Sequence, residues 1–304
     1  MSPSRLAAGH PTLPALLGAV AIAFSAILYR LADVSPSTGA FFRCAYAVPP
    51  LLLLAWLEDR KLGSRPARTR MWAWLAGVLL AVDLIIWHHS IEYVGAGLAT
   101  VLGNTQVVLV GVVAWLLFGE RPSKPLLLAI PLAMGGVVLI SGVLEEGAYG
   151  DDPLLGVVFG LLTGVAYTGF LLTLRHGSSD LRRVAGPLSD ATLACALLTV
   201  PIGLAVGDLD FTPPLSAHLW LIVLALSSQV FGWLLITVSL PRLPAVVTSV
   251  LLTLQPVCSV IFAAILLGEE PSSLQLFGVA AILGGLLLAS ADRRREVAVP
   301  EPVG

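Results

Sequence analysis

Charge is scarce in this chain. Asp, Glu, Lys and Arg make up 12% of its 304 residues, about half the ~25% usual in a soluble domain. Water cannot solvate a surface so poor in charge, and a soluble globule, a coiled coil and a disordered segment are excluded together. The net charge of −2 leaves no basic stripe to attract nucleic acid. Only three cysteines occur, Cys44, Cys195 and Cys258, each inside an apolar run. An odd number so widely spaced makes neither a disulfide framework nor a zinc site. They read as small buried hydrophobes. Nucleophile–base arrangements, metal-ligand spacings and phosphate loops are also missing. No cofactor is therefore expected, and any work must draw on substrate or ion gradients.

What the chain has instead is apolar length. AVILMFWYC residues make up 57%, and mean hydropathy is +0.92. A bilayer core of ~30 Å takes about 20 apolar residues in a helix. Ten segments qualify, at 13–30, 38–57, 71–91, 95–118, 125–143, 153–174, 187–206, 215–240, 244–267 and 274–291. The first follows Arg5 and contains Ala19, Ala21 and Ala23; it reads as a retained span rather than a cleaved signal. Short breaks such as Ser35-Pro36-Ser37, Asp151-Asp152-Pro153 and Gly268-Glu269-Glu270-Pro271 mark the ends, since proline favours a helix's first turn and not its interior. The runs lack the ~10-residue alternation of a membrane β-barrel, which predicts an all-α integral membrane protein. With the N-terminus cytoplasmic, 15 of the 17 basic residues fall on the inner side, as orientation by Lys and Arg demands. Both termini are then cytoplasmic, and the membrane is the cell's inner membrane.

The sequence also repeats itself. At an offset of 149, Gly119-Glu120-Arg121-Pro122-Ser123 returns as Gly268-Glu269-Glu270-Pro271-Ser272, Gln106 as Gln255, and Gly135-Gly136 as Gly284-Gly285. Five spans per copy is an odd number, so the second copy enters the membrane upside down. Inverted repeats are a recurrent transporter design, because two such halves can exchange conformations and open a midplane site to either side.

Two five-helix halves, each with a Gly-Glu-x-Pro-Ser turn leading into a helix with a Gly-Gly pair, resemble the EamA-type carriers of the drug/metabolite transporter superfamily. Gln255-Pro256-Val257 fits the pattern in the second copy; Gln106-Val107-Val108 departs from it in lacking the proline. The resemblance covers about 13–291 and implies ten transmembrane helices as two inverted five-helix repeats, at 13–143 and 153–291, with a cytoplasmic tail at 292–304. It also implies a central cavity for a small metabolite. Bacterial exporters of amino acids and related metabolites are the commonest analogy.

Ionisable groups within spans are expensive and point to function. Asp83 lies near the middle of the third span, with Trp87 at i+4 and His88 beyond it. A carboxylate, an indole and an imidazole suit a cavity wall; a buried Asp bonded to neighbouring helices, with Trp87 facing lipid, is the alternative. Asn104, Thr105 and Gln106 interrupt the fourth span, and Gln255 precedes Pro256 in the ninth. Such amides bind substrate or glue helices. Tyr167, Trp233 and Ser227-Ser228-Gln229 lie in spans that the resemblance places around the cavity. The candidate substrate-binding set is thus Asp83, Trp87, His88, Asn104, Gln106, Tyr167, Trp233 and Gln255. Arg43 is expected to snorkel or pair with Asp33, with attraction of a substrate carboxylate as the alternative, and Asp190 and Glu92 to reach the interface. Glu120 and Glu269 read as structural members of a tight turn, with Ser123 and Ser272 as helix N-caps. Gly156, Gly160 and Gly164 form a small-residue stripe for close packing between the halves.

These features predict a secondary carrier of small organic metabolites, working in the lipid bilayer by alternating access, with Asp83 the candidate for proton coupling. No nucleic acid partner is expected, and the oligomeric state is open, a monomer included. A passive channel-like facilitator of the same fold is the runner-up. A lipid-modifying enzyme is more remote, for want of clustered His, Asp or Glu at one face.

Overall fold

In the computed structural model the described residues are 12–106, 108–109, 124–178, 180, 182–239 and 245–292. Among them there is no strand. The helices are α1 (Thr12–Ala23), α2 (Ser25–Ala32), α3 (Pro36–Leu62), α4 (Ala67–Val94), α5 (Ala96–Gly103), α6 (Lys124–Ile140), α7 (Pro153–Gly177), α8 (Ala185–Val206), α9 (Leu215–Leu224), α10 (Trp233–Ser239), α11 (Ala245–Phe262) and α12 (Ser273–Asp292). Among the described residues six continuous stretches are long and apolar enough to cross a membrane, and 127–140, 253–267 and 273–288 are shorter apolar helices. The fourth expected span is helical from Ala96, turns at Asn104–Thr105, and beyond residue 109 lies outside the described residues. The first Gly-Glu-Arg-Pro-Ser turn, with Glu120 and Ser123, lies outside them too.

The segmentation follows the breaks. Pro36 opens α3 and Pro153 opens α7, where a missing N–H is harmless. The eighth expected span is not uniform. Residues Ala225–Gly232 wind as a π-helix between α9 and α10, and Ala263–Leu267 do so after α11. Composition gives no sign of either widening.

The repeat is geometric as well as sequential. α3 starts at residue 36 and α8 at 185, a displacement of 149. Packing brings equivalent helices together: α3 lies along α8, α6 along α12 and α5 along α11, while α4 lies along α7. The Gly-Gly pairs explain the α6–α12 contact. A Cβ on Gly136 would stand 2.6 Å from the Gly278 carbonyl oxygen, and one on the equivalent Gly285 3.1 Å from that of Ala129. The stripe on α7 does the same between the halves, Gly156 meeting Val94 and Gly160 meeting Leu102. Outward-facing Leu53, Leu128, Val165, Leu219 and Phe277 are exposed, the apolar girdle that a bilayer requires and water penalises.

Carboxylates of one half cap helix starts of the other. Glu58, near the end of α3, accepts from the N–H groups of Val184 and Ala185 at 2.9 Å and Gly186 at 2.8 Å, where α8 begins. At the opposite end of the bundle Asp208 accepts from Ser37 N–H at 3.1 Å, where α3 begins. Ser37 and Gly186 are themselves 149 apart. Beside that second end Glu269 accepts from Ala96 N–H at 2.6 Å and Gly97 N–H at 3.0 Å. The turn glutamate is structural, as its place in the motif suggested, and its partners belong to the other repeat. Ser272 caps α12: its hydroxyl accepts from Gln275 N–H at 3.1 Å while Gln275 Oε1 accepts from Ser272 N–H at 3.0 Å, a reciprocal capping box.

Candidate functional site

A cavity of about 70 Å³ lies between the two halves at mid-depth of the bundle. α4 supplies Asp83 and Trp87, one turn apart on a single face. α7 supplies Tyr167 and, one turn earlier, Thr163; α10 supplies Trp233, and α11 supplies Gln255. Asn104 enters where α5 breaks: its amide nitrogen donates to the Thr100 carbonyl at 2.8 Å, and Thr105 hydroxyl to that of Leu102 at 2.6 Å. Six of the eight sequence-derived candidates therefore share one chamber.

His88 and Gln106 are not brought to it. The His88 ring is wholly buried, stacks on Tyr29 with centroids 3.8 Å apart, and places Nδ1 3.0 Å from the Pro36 carbonyl. It packs α4 against α2 and the start of α3. Successive residues on a helix point ~100° apart, so Trp87 facing the cavity turns His88 away. Gln106 is buried, and its Oε1 meets no partner among the described residues.

Arg43 neither snorkels nor meets Asp33. Its side chain is 3% exposed and lines the cavity. Nε donates to Gln229 Oε1 at 3.1 Å, and Gln229 Nε2 donates onward to Thr192 hydroxyl at 3.2 Å. The guanidinium carbon sits 5.8 Å from the Trp87 ring centre, close enough for a cation–π contact. Gln229 belongs to the π-helical stretch, so the widened turn carries the residue that anchors the arginine. The arginine's place on the cavity fits the alternative of a group that meets a substrate carboxylate. Ser25, Thr100 and Thr163 are polar cavity residues that the sequence did not single out; Thr163 was hidden within the glycine stripe.

Other polar residues serve the ends of the bundle. Asp190 does not reach out to solvent; it is 4% exposed and pairs with Arg65 at 2.8 Å and Arg70 at 3.5 Å. Glu92 accepts from Tyr29 hydroxyl at 2.8 Å and pairs with Arg30 at 3.3 Å. Arg182 beside Asp180 holds that carboxyl down at about 2. A polar vestibule of about 470 Å³ opens near Asp33, His89, Glu92 and Asp151. Among the described residues no cluster of His, Cys, Asp or Glu suits a metal.

The family model of the EamA-like transporter family matches residues 12–142 and 154–291. An uncharacterized protein of Pseudomonas aeruginosa is 30% identical over 91% of this chain and 93% of its own length. Uncharacterized transporters of Synechocystis (25% identical; 83% of this chain, 78% of that one) and Bacillus subtilis (YwfM, 23% identical; 87% of each) are also similar. One solved crystal structure superposes with a TM-score of 0.63 over 94% of this chain and 98% of that one, at 15% identity, which shows the shared fold.

Proposed function

The chain belongs to the EamA-like transporter family, and from that premise we propose that it is a secondary carrier of small organic metabolites, amino acids or related compounds, exporting them across the inner membrane. Its two halves, 13–143 and 153–291, work by alternating access, with ten spans, cytoplasmic termini and a cytoplasmic 292–304 tail. The observation that carries this reading is the mid-depth cavity at the seam of two halves displaced by 149 residues. A site enclosed by inverted copies can be exposed to one side and then the other by the same rearrangement run in opposite senses.

Within it, Asp83, Trp87, Asn104, Tyr167, Trp233 and Gln255 are the substrate-facing residues. The aromatic rings supply flat apolar walls, and the amides and the carboxylate fix orientation. Asp83 is the group placed to carry a proton, being 5% exposed and facing the chamber. The test is efflux from proteoliposomes with and without an imposed pH gradient. Wild type should respond to the gradient, and Asp83→Asn should lose that response while remaining folded. Equal rates for the two proteins would end the coupling assignment. Flux that neither saturates nor shows counter-transport would replace the carrier by a channel.

A further inference from the structure

Three buried polar groups on this cavity carry atoms that meet no partner among the described residues: Arg43 Nη1, Asp83 Oδ1 and Thr163 Oγ1. Arg43 and Asp83 are 3% and 5% exposed and Thr163 is 4% exposed. Buried polar atoms are normally satisfied, and one left bare is costly. Two opposite charges beside one cavity would relieve each other by closing into an ion pair. They do not form one. Arg43 is instead held by Gln229 at 3.1 Å and lies over Trp87.

Resting on the carrier reading above, we propose that Arg43, Thr163 and Asp83 form a two-ended subsite for a zwitterion. Arg43 and the Thr163 hydroxyl take the carboxylate, and Asp83 takes the ammonium. The electrostatics select this class over its neighbours. Once Asp83 has released its proton, the site holds one cation and one anion, and a zwitterion satisfies both without adding net charge to a low-dielectric interior. A simple amine leaves Arg43 unanswered, and a simple carboxylate leaves Asp83 so. Discrimination then comes from the group left bare as much as from the contact made. Size agrees. At roughly 10–15 Å³ per water-sized group, a cavity of about 70 Å³ suits the framework of a small α-amino acid, the open side of the chamber taking a longer side chain. The aromatic walls, Trp87, Tyr167 and Trp233, meet the carbon skeleton between the two charged ends.

The experiment is calorimetric binding to the purified full-length protein in detergent. The proteinogenic L-amino acids are screened first. The best binder is then compared with its amide, which lacks the carboxylate, and its deaminated acid, which lacks the ammonium. Both analogues should bind at least tenfold more weakly. In Arg43→Gln the amino acid should lose its advantage over the amide. In Asp83→Asn it should lose its advantage over the deaminated acid. Each variant must elute and melt as a folded protein; should Arg43→Gln fail to, Arg43→Lys keeps the charge and should retain a reduced preference for the acid. An unchanged acid-to-amide ratio in the arginine variants overturns the proposal. So does the absence of any amino acid binding. Proteoliposome flux separates this outcome from failure of the carrier reading. A non-zwitterionic solute that is carried while no amino acid binds sinks the subsite alone, whereas an amino acid that binds but is not carried sinks the carrier and leaves the subsite standing.

Discussion

Replacing Glu269 by alanine should destabilise the protein by about 3 kcal/mol. The carboxylate receives two backbone N–H groups, from Ala96 at 2.6 Å and Gly97 at 3.0 Å. Both are first-turn donors of α5 with no intrahelical partner. Hydrogen bonds to a charged group contribute about 1.5–3 kcal/mol each, with water entry offsetting part of the loss. At ~2–4 °C per kcal/mol for a chain of this class, the melting midpoint should fall by about 6–12 °C. Glu269→Gln keeps one acceptor oxygen but turns an amine toward the second N–H, so it should lie between wild type and alanine. The site is tight from the other side as well: Gly95 adopts φ +88°, and a Cβ there would stand 2.9 Å from the carboxylate. The pH dependence has a definite sign. Burial raises the Glu269 pKa above the usual 4.5, against the two N–H bonds that lower it. A raised folded-state value means that the contribution is fullest below pH 4.5 and declines as pH climbs through the folded-state pKa, levelling above it. Scanning fluorimetry of detergent-purified wild type and both variants across this range is the assay. An alanine variant that melts with wild type would refute the capping argument. A pH trend of opposite sign would show that the two N–H bonds outweigh burial.

Gly136→Ala places a methyl 2.6 Å from the Gly278 carbonyl, whereas Gly285→Ala places one 3.1 Å from that of Ala129. Overpacking costs typically about 1–3 kcal/mol, so the first should lower the melting midpoint clearly and more than the second; the reverse order would contradict the α6–α12 geometry. Cys44 and Cys195 present sulfurs 3.3 Å apart across α3 and α8. Diamide, which takes up the two thiol hydrogens, should join them and remove two free thiols by mass spectrometry while leaving Cys258. Because α3 and α8 are fastened to each other at both ends, solute flux in proteoliposomes should survive the cross-link, and a blocked carrier would count against that.

Most of the architecture was legible because lipid permits so little else. A backbone in hydrocarbon must satisfy itself, so an apolar run bounded by Pro or Gly becomes a helix almost regardless of detail. The repeat was legible because Gln, Gly-Gly and Gly-Glu-x-Pro-Ser are not composition noise. The site was half legible. Asp83, Trp87 and Asn104 interrupt apolar text and were found on that ground. Arg43 stayed outside the candidate set because a long side chain near a span's end ordinarily escapes to the interface; its inward turn depends on Gln229, 186 residues away, which no local pattern encodes. His88 was included because periodicity gives the angle between neighbours but not which of them faces inward. The π-helical turns were invisible, since an added residue per turn reflects packing among helices rather than any local preference.

The reciprocal carboxylates of Glu58 and Asp208 have a mechanical consequence. They pin α3 and α8 to each other like two rods riveted at opposite tips. Sliding one past the other by a single residue, about 1.5 Å, would strip a rivet at each face of the membrane simultaneously. Any rearrangement that keeps both rivets must carry α3 and α8 together as one unit.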